Sequence, residues 1–275
     1  MEETTKEHRW QNFPHQRLVY VVAVIAGVVL LVWLVDTPPG ILGKADAVGY
    51  AVCHRIEERS FHVNERQMPL CARCTGMYLG AILGLVYQFF KSPRGAGLPP
   101  RKLLVVFGLL ALIWGVDGLN SYFHLFPNAP GLYEPNNILR LLTGTGMGLV
   151  VAMLLYPAFN QTVWVEWNER PVISDFRTLG GLLFLAILAD GLVLTGFAWV
   201  LYPVALITSV GVLVLLSMVY CMVCLILFKA ENRIQDVNQL VLPILVGFVV
   251  AIGQIGIMDW GRLFITGNWS GFRVK

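Results

Sequence analysis

The stretch LLVVFGLLALIWGVDGLNSYFH, residues 103–124, decides the fold. A helix needs about 20 mostly apolar residues to cross the hydrocarbon core of a bilayer, and this stretch has that length. Asp117 lies about two turns from its end. An ionisable side chain within a membrane span is costly and by default marks a functional site. The stretch therefore predicts a membrane helix that carries a functional carboxylate.

Similar apolar runs recur along the whole chain. The protein has 275 residues, of which 56% are hydrophobic and only 13% are charged, whereas a soluble domain carries about 25% charged residues. The predicted crossings are 18–35, 75–90, 103–124, 138–159, 179–201, 203–228 and 240–260. We expect a very short turn at 201–203, with Pro203 in the first turn of the next helix. The predicted fold class is all-α: a polytopic membrane helix bundle of about seven transmembrane helices with a Cys/His-rich first loop.

The basic residues predict the orientation of the bundle. Lys and Arg are enriched in cytoplasmic loops. Most of them lie in the N-terminal tail, 1–17, and in the loops after every second crossing, so we expect that tail in the cytoplasm. The protein is then a multi-pass cell-membrane protein whose C-terminus and first loop, 36–74, are extracytoplasmic. Its partner is the lipid bilayer, and the small net charge of +3 indicates no nucleic-acid partner.

The first loop gathers most of the reactive side chains. The 24 residues 53–76, CHRIEERSFHVNERQMPLCARCTG, run from this loop into the start of the second crossing and hold three of the five cysteines, two of the five histidines and four arginines. Because crossings alternate in direction, this loop shares one side of the membrane with the end of the third crossing and the start of the fourth. Asp117, Asn137 and Arg140 lie on that side, and we expect Arg140 to pair with Asp117.

These segments resemble a family of predicted bacterial and archaeal membrane proteins catalogued as domain of unknown function 2085. The resemblance rests on CHRIEERSF, PLCARCTGMYLG, the DG of the next helix and NNILRLLTG, and it covers roughly residues 50–150. It implies a membrane core at 18–160 with additional helices and a C-terminal tail at 161–275, but no activity. Glu57 stands where the family usually has Pro. The positions that match the family are Cys53, His54, Arg55, Cys71, Arg73, Cys74, Thr75, Gly76, Asp117, Asn137 and Arg140.

Metal binding is one chemistry that fits the loop. Cys71-Ala-Arg-Cys74 presents two thiolates to one ion, as in many zinc sites. A closed four-ligand site would be structural, whereas three protein ligands would leave a position for water, with Asp117 or Glu58 as a base. We predict Asp117 as the catalytic group of such an enzyme. The predicted ligands of the metal, a zinc-like ion, are Cys53, His54, His62, Cys71 and Cys74.

Thiol redox chemistry is the second alternative. The start of a helix and the neighbouring Arg73 would both favour a thiolate at the Cys-x-x-Cys pair. Such a pair would pass electrons to a quinone, with Cys53 as the resolving thiol. The other pair, Cys221 and Cys224, lies deep in the sixth crossing, where cysteine behaves as a small apolar residue, so we predict packing there.

The arginines on the same side predict anion binding. Guanidinium groups bind phosphate in a bidentate manner, and the phosphates at a membrane surface are lipid headgroups or polyprenyl phosphates. The alternative is pairing with the glutamates of the loop. The predicted substrate-binding residues are Arg55, Arg59, Arg73, Asn137 and Arg140.

Three functions therefore remain open at the level of the sequence. The first is an enzyme with a metal site at the outer interface that acts on a lipid-linked or amphiphilic substrate. The second is the quinone-coupled thiol oxidoreductase. The third is a transporter or accessory subunit with a structural Cys/His site, which the intramembrane Asp190 would favour. The oligomeric state is left undetermined.

Overall fold

The computed structural model of the protein describes residues 15–126 and 131–271. The predicted tail, 1–17, lies largely outside these ranges. The described chain contains two pairs of short strands, β1 (Ser60–Val63) with β2 (Arg66–Cys71) and β3 (Gly95–Gly97) with β4 (Asn168–Pro171). Its helices are α1 (His15–Asp36), α2 (Ile41–Val52), α3 (Ala72–Lys91), α4 (Arg101–Phe123), α5 (Asn137–Val163), α6 (Phe176–Leu194), α7 (Ala198–Leu227) and α8 (Val237–Thr266).

The fold is the predicted all-α membrane bundle. Six helices of the described ranges are long and apolar enough to cross a membrane, namely α1, α4, α5, α6, α7 and α8. α3 is 20 residues long, which is the length of a crossing, but it begins with the polar Cys-x-x-Cys turn and contains a buried Gln88. With α3 the bundle has about seven crossings.

The boundary between the fifth and sixth crossings differs from the prediction. α6 ends at Leu194 and α7 begins at Ala198, so the turn lies at 195–197 instead of 201–203. Gly196 allows this tight reversal because its φ of +71° is in the left-handed region, which favours glycine. Pro203 consequently lies inside α7 and not in its first turn.

The first loop is folded into a helix and a hairpin, neither of which was predicted. β1 and β2 pair antiparallel, so that Ser60 lies opposite Cys71. α2 packs directly on β2, and the contact is so close that a Cβ at Gly49 would lie only 1.9 Å from the carbonyl oxygen of Pro69. This contact brings Cys53, the residue after α2, towards Cys71 at the end of β2.

α3 and α5 form a closely packed helix pair at the centre of the bundle. A Cβ at Gly144 would lie 2.2 Å from the carbonyl oxygen of Arg73, and one at Gly80 would lie 2.3 Å from that of Thr145. The glycines at 144–148 therefore let α5 pack closely against α3. Arg140, one turn before Gly144, is held on the same level as the first turn of α3.

Candidate metal centre

Three thiols converge at the start of α3. Cys53 follows α2, Cys71 ends β2 and Cys74 lies in the first turn of α3. Their Sγ atoms all lie within 4.8 Å of one another. Cys53 and Cys71 are buried and Cys74 is half-buried, and all three are free thiols. The predicted convergence of two distant segments of the loop is thus present in the fold.

The backbone around the thiols is fixed by hydrogen bonds. The amide of Cys53 donates to the carbonyl of Gly49 at the end of α2. The amide of Cys71 donates to Cys53 Sγ at 3.4 Å. The Thr75 hydroxyl donates to the carbonyl of Leu70. The geometry of the three sulfur atoms therefore follows from the contact between α2, β2 and α3.

The thiols of the cluster differ in pKa. Hydrogen bonds from the thiols of Cys71 and Cys74 hold the pKa of Cys53 well below its usual value. The pKa of Cys71 is raised to about 12, chiefly because its thiol donates to Cys53 and secondarily through burial. Of these two thiols, Cys53 is therefore the one that loses its proton more readily.

Neither of the two predicted histidines belongs to the group of converging ligand atoms. His54 Nδ1 accepts a hydrogen bond from the amide of Ile56 at 3.0 Å, so its Nε2 is the nitrogen left for a metal. His62 lies in β1, and its Nε2 is 4.0 Å from Glu57 Oε1. Both stay predictions as metal ligands, and His54 is the better placed because it follows Cys53 directly.

Asp117 is paired with Arg73, which corrects the expected pair with Arg140. The Arg73 guanidinium donates to Asp117 Oδ2 from Nη2 and, at 3.2 Å, from Nε. Tyr133 donates to Oδ1 at 2.7 Å, and Thr143 donates to Oδ2 at 3.3 Å. Arg140 instead donates to Asn137 Oδ1 on its own helix at 2.9 Å. Asp117 is 1% exposed, so these donors are what compensate its buried charge.

Two of the predicted anion-binding arginines meet at Ser121 on α4. Arg59 donates to the carbonyl oxygen of Ser121 at 3.0 Å, and Arg73 donates to its hydroxyl at 2.9 Å. Burial lowers the pKa of Arg59, and repulsion from Arg73 lowers it further. Burial also lowers the pKa of His54, with further contributions from Arg59, Arg73 and Arg140. The imidazole and the three guanidinium groups are therefore neighbours.

Arg140 joins this arginine cluster, which consists of Arg59, Arg73 and Arg140. Asn137 donates to the carbonyls of Glu58 at 3.2 Å and Ser60 at 3.5 Å, so it ties the start of α5 to the Arg59 segment. Arg140 is 6% exposed, and its Nε has no hydrogen-bond partner among the described residues. The cluster contains more positive charge than Asp117 alone neutralises.

Arg55 has a different role from the arginine cluster. It is buried and has a positive φ of 52°. Its Nη2 donates to Asp46 Oδ1 at 2.9 Å, and Asp46 also pairs with Arg66 at 2.5 Å. Arg55 therefore holds the loop to α2, and its role in substrate binding stays a prediction.

Sequence reasoning missed Arg262 on α8. Its Nη1 donates to the carbonyls of Tyr50 and Cys53, both at 2.6 Å, and its Nη2 donates to that of His54 at 3.2 Å. The guanidinium also lies 4.0 Å above the ring of Tyr50. Because the crossings alternate in direction, the end of α8 lies on the same side of the membrane as the first loop. This alternation was the only sequence signal that pointed to Arg262.

The remaining intramembrane groups lie apart from the thiol cluster. Cys221 is buried in α7 and packs with Phe159 and Val163, as expected of an apolar side chain. Asp190 is buried in α6 and accepts a hydrogen bond from the Thr145 hydroxyl at 2.7 Å. Neither belongs to the site at the start of α3.

These features define a membrane protein with a tri-cysteine cluster at one end of its helices. The chain belongs to the family described as "Predicted membrane protein (DUF2085)", which matches residues 53–154. That range contains the three thiols, Asp117 and the arginine cluster, but not α8 with Arg262.

Two uncharacterised relatives are each similar to part of the chain. The "Uncharacterized protein MJ1492" of Methanocaldococcus jannaschii is 32% identical over 124 residues, which is 44% of this chain and 72% of the relative. An "Uncharacterized protein" of Methanothermobacter thermautotrophicus is 36% identical over 103 residues, or 38% of this chain and 83% of the relative. No solved structure matches the chain.

Proposed function

We propose that Cys53, Cys71 and Cys74 bind a thiophilic metal ion, most simply Zn²⁺. The observation that carries the proposal is the approach of all three Sγ atoms to within 4.8 Å of one another. Two thiolates bound tetrahedrally to one zinc ion, with Zn–S bonds of about 2.3 Å, lie roughly 3.8 Å apart. The cluster therefore needs only small side-chain adjustments to close around an ion.

The proposed centre is a three-thiolate site with a fourth position beside it. Neither imidazole is among the converging ligand atoms, so His54 Nε2, a water molecule or a substrate atom would take that position. Zinc supplies Lewis acidity and an activated water at a position of this kind. His54 as the fourth ligand would make the site structural, whereas an open position would suit catalysis.

The arginine cluster supports an anionic substrate group next to the metal. Three guanidinium charges face one carboxylate, Asp117, and the single net negative charge of a zinc ion with three thiolates. One positive charge then remains, which a phosphodiester or another monoanionic headgroup would neutralise. We propose that the substrate is lipid-linked or amphiphilic, because the cluster lies at the ends of membrane helices. From the distribution of Lys and Arg we propose that this end is extracytoplasmic.

Asp117 is the proposed catalytic carboxylate of such an enzyme. Its carboxylate accepts hydrogen bonds from Arg73 and from Tyr133, which fix its orientation at the arginine cluster. Both oxygens already accept hydrogen bonds, so a substrate would have to displace Thr143 or Tyr133 to reach them. Without that displacement Asp117 acts only by positioning Arg73.

Metal analysis of the purified protein tests the proposal. We expect about one zinc ion per chain, lost in Cys53→Ser and in Cys74→Ser. Cys224→Ser is the matched control, because Cys224 is half-buried like Cys74 but lies outside the cluster, and it should keep the metal. Metal-free wild type with a Cys71–Cys74 disulfide that a quinone re-forms would overturn the proposal in favour of the oxidoreductase.

A second variant separates an enzyme from a structural site. Folded Asp117→Asn protein should retain the metal, because Asp117 is not among the converging ligand atoms. If the site is catalytic, this variant loses turnover of phosphate-linked amphiphiles. Equal turnover in Asp117→Asn and wild type would remove Asp117 from the reaction.

A further inference from the structure

A cavity between α1 and α8 is the strongest feature outside the thiol cluster. Its volume is about 710 Å³, within the range of about 300–1,000 Å³ typical of small-ligand sites. Its walls are mostly apolar, with Val28 and Val32 from α1 and Ile252, Ile257 and Leu263 from α8. A single apolar chain fits a space with these walls.

A buried carboxylate interrupts this apolar wall. Asp259 is 3% exposed and lines the cavity. Its Oδ2 accepts a hydrogen bond from Trp33 Nε1 at 3.2 Å, whereas its buried Oδ1 has no hydrogen-bond partner among the described residues. A buried carboxylate oxygen without a donor is costly. The group missing from this wall is therefore a hydrogen-bond donor.

The other polar and aromatic side chains of the cavity favour a positively charged donor. Asp36 lines the cavity as a second carboxylate, and no Lys or Arg of the described chain lines it. The indoles of Trp33, Trp260 and Trp269 are also part of the wall, and indole faces attract ammonium groups. Two carboxylates and three indoles are complementary to an amine head group.

Two basic side chains at this end of the bundle, Lys44 and Arg262, donate hydrogen bonds to backbone carbonyls. The ammonium of Lys44 donates to the carbonyl of Leu34 and, at 2.9 Å, to the carbonyl of Thr37. The guanidinium of Arg262 donates to the carbonyls of Tyr50 and Cys53. The charge of Arg262 also acts on the Asp259 carboxylate, but no hydrogen bond within the described chain reaches Oδ1, which leaves this atom to a ligand.

We propose that this cavity binds a membrane amphiphile whose head group is a primary ammonium. The ammonium donates to Asp259 Oδ1, and the apolar chain lies against Val28, Val32 and Ile257 between α1 and α8. Asp259 lies seven residues before the end of α8, roughly 10 Å along the helix, a depth that a head group at the membrane interface reaches. The site does not depend on a metal at the thiol cluster.

Fluorescence quenching by a brominated alkylamine tests the proposal. The protein is kept in dodecyl maltoside micelles, which contain no amine, and 12-bromododecylamine is added at neutral pH, where an alkylamine is protonated. Saturable quenching of tryptophan emission is expected, because three indoles line the cavity. Unbrominated dodecylamine should displace the probe, whereas dodecanol and dodecanoate should compete at least about tenfold more weakly.

Asp259→Asn should weaken the binding of the amine at least about tenfold, and Asp175→Asn, an exposed aspartate that does not line the cavity, should leave it unchanged. If the amine, the alcohol and the carboxylate displaced the probe equally well, the cavity would recognise only the apolar chain, and the proposal would be overturned. The head-group comparison uses wild type alone, so it decides the matter even if Asp259→Asn fails to fold. Unchanged amine affinity in a folded Asp259→Asn protein would also overturn it.

Discussion

Breaking the pair of Arg73 and Asp117 should be costly, because the pair is buried. The side chains are 17% and 1% exposed, and Arg73 donates to the carboxylate from two nitrogens. Removing one member of a buried pair costs about 3–5 kcal/mol, since the remaining charge is left uncompensated. Asp117→Asn should be at the upper end of this range, because it leaves Arg73 beside Arg59 and Arg140. Arg73→Met should cost less, because Tyr133 and Thr143 still donate to Asp117.

A double-mutant cycle measures the coupling between the two side chains. The variants Asp117→Asn, Arg73→Met and the double variant are compared in reversible unfolding by sodium dodecyl sulfate in mixed micelles. The double variant should be less destabilised than the sum of the single variants by about 1–3 kcal/mol. A parallel cycle with Arg140→Met is the control. Coupling of Asp117 to Arg140 as large as its coupling to Arg73 would refute the assigned pairing.

The remaining predictions concern helix packing, the loop anchor and metal release. Gly144→Ala should destabilise the protein by about 1–3 kcal/mol, because the added Cβ would lie 2.2 Å from the carbonyl oxygen of Arg73, whereas the control Gly108→Ala adds its Cβ to open space. Equal unfolding free energies of the two variants would contradict this. Arg262→Met should increase amide hydrogen exchange at 53–56 and leave exchange in α6 unchanged. Equal protection of 53–56 in the variant and in wild type would show that α8 does not anchor the loop. The amount of bound zinc should fall as the pH is lowered, because protons compete with the ion for the thiolates, and the pKa of Cys71 is raised to about 12 without metal. Zinc occupancy that stays constant from neutral to acid pH would contradict thiolate ligands.

The apolar runs predicted most of the membrane helices, because burial in lipid leaves a long uncharged signature in the sequence. The run at 103–124 corresponds to α4 and the run at 138–159 lies within α5. The turn between α6 and α7 was misplaced, since the apolar run continues through it and only Gly196 marks the reversal. The short α2 was missed because its twelve residues have mixed composition, and its stability comes from packing on β2.

The convergence of the three thiols was predictable, whereas the contribution of Arg262 and the pairing of the charged groups were not. The three cysteines share one loop, and alternation of the crossings was enough to bring Asp117, Asn137 and Arg140 to the same end of the bundle. It does not set the rotation of each helix about its axis, and that rotation turns Arg73 and not Arg140 towards Asp117. The salt bridge between Arg55 and Asp46 depends on the fold of the loop, which no periodic pattern in the sequence indicates.

X-ray absorption at the zinc edge of the purified protein tests the central claim most directly. Three sulfur ligands at about 2.3 Å and one nitrogen or oxygen ligand at about 2.0–2.2 Å are expected for a centre built from these thiols. Cys74→Ser should lose one sulfur from that shell or lose the ion altogether. A protein that takes up no zinc, or a bound ion without sulfur ligands, would contradict the proposed metal centre.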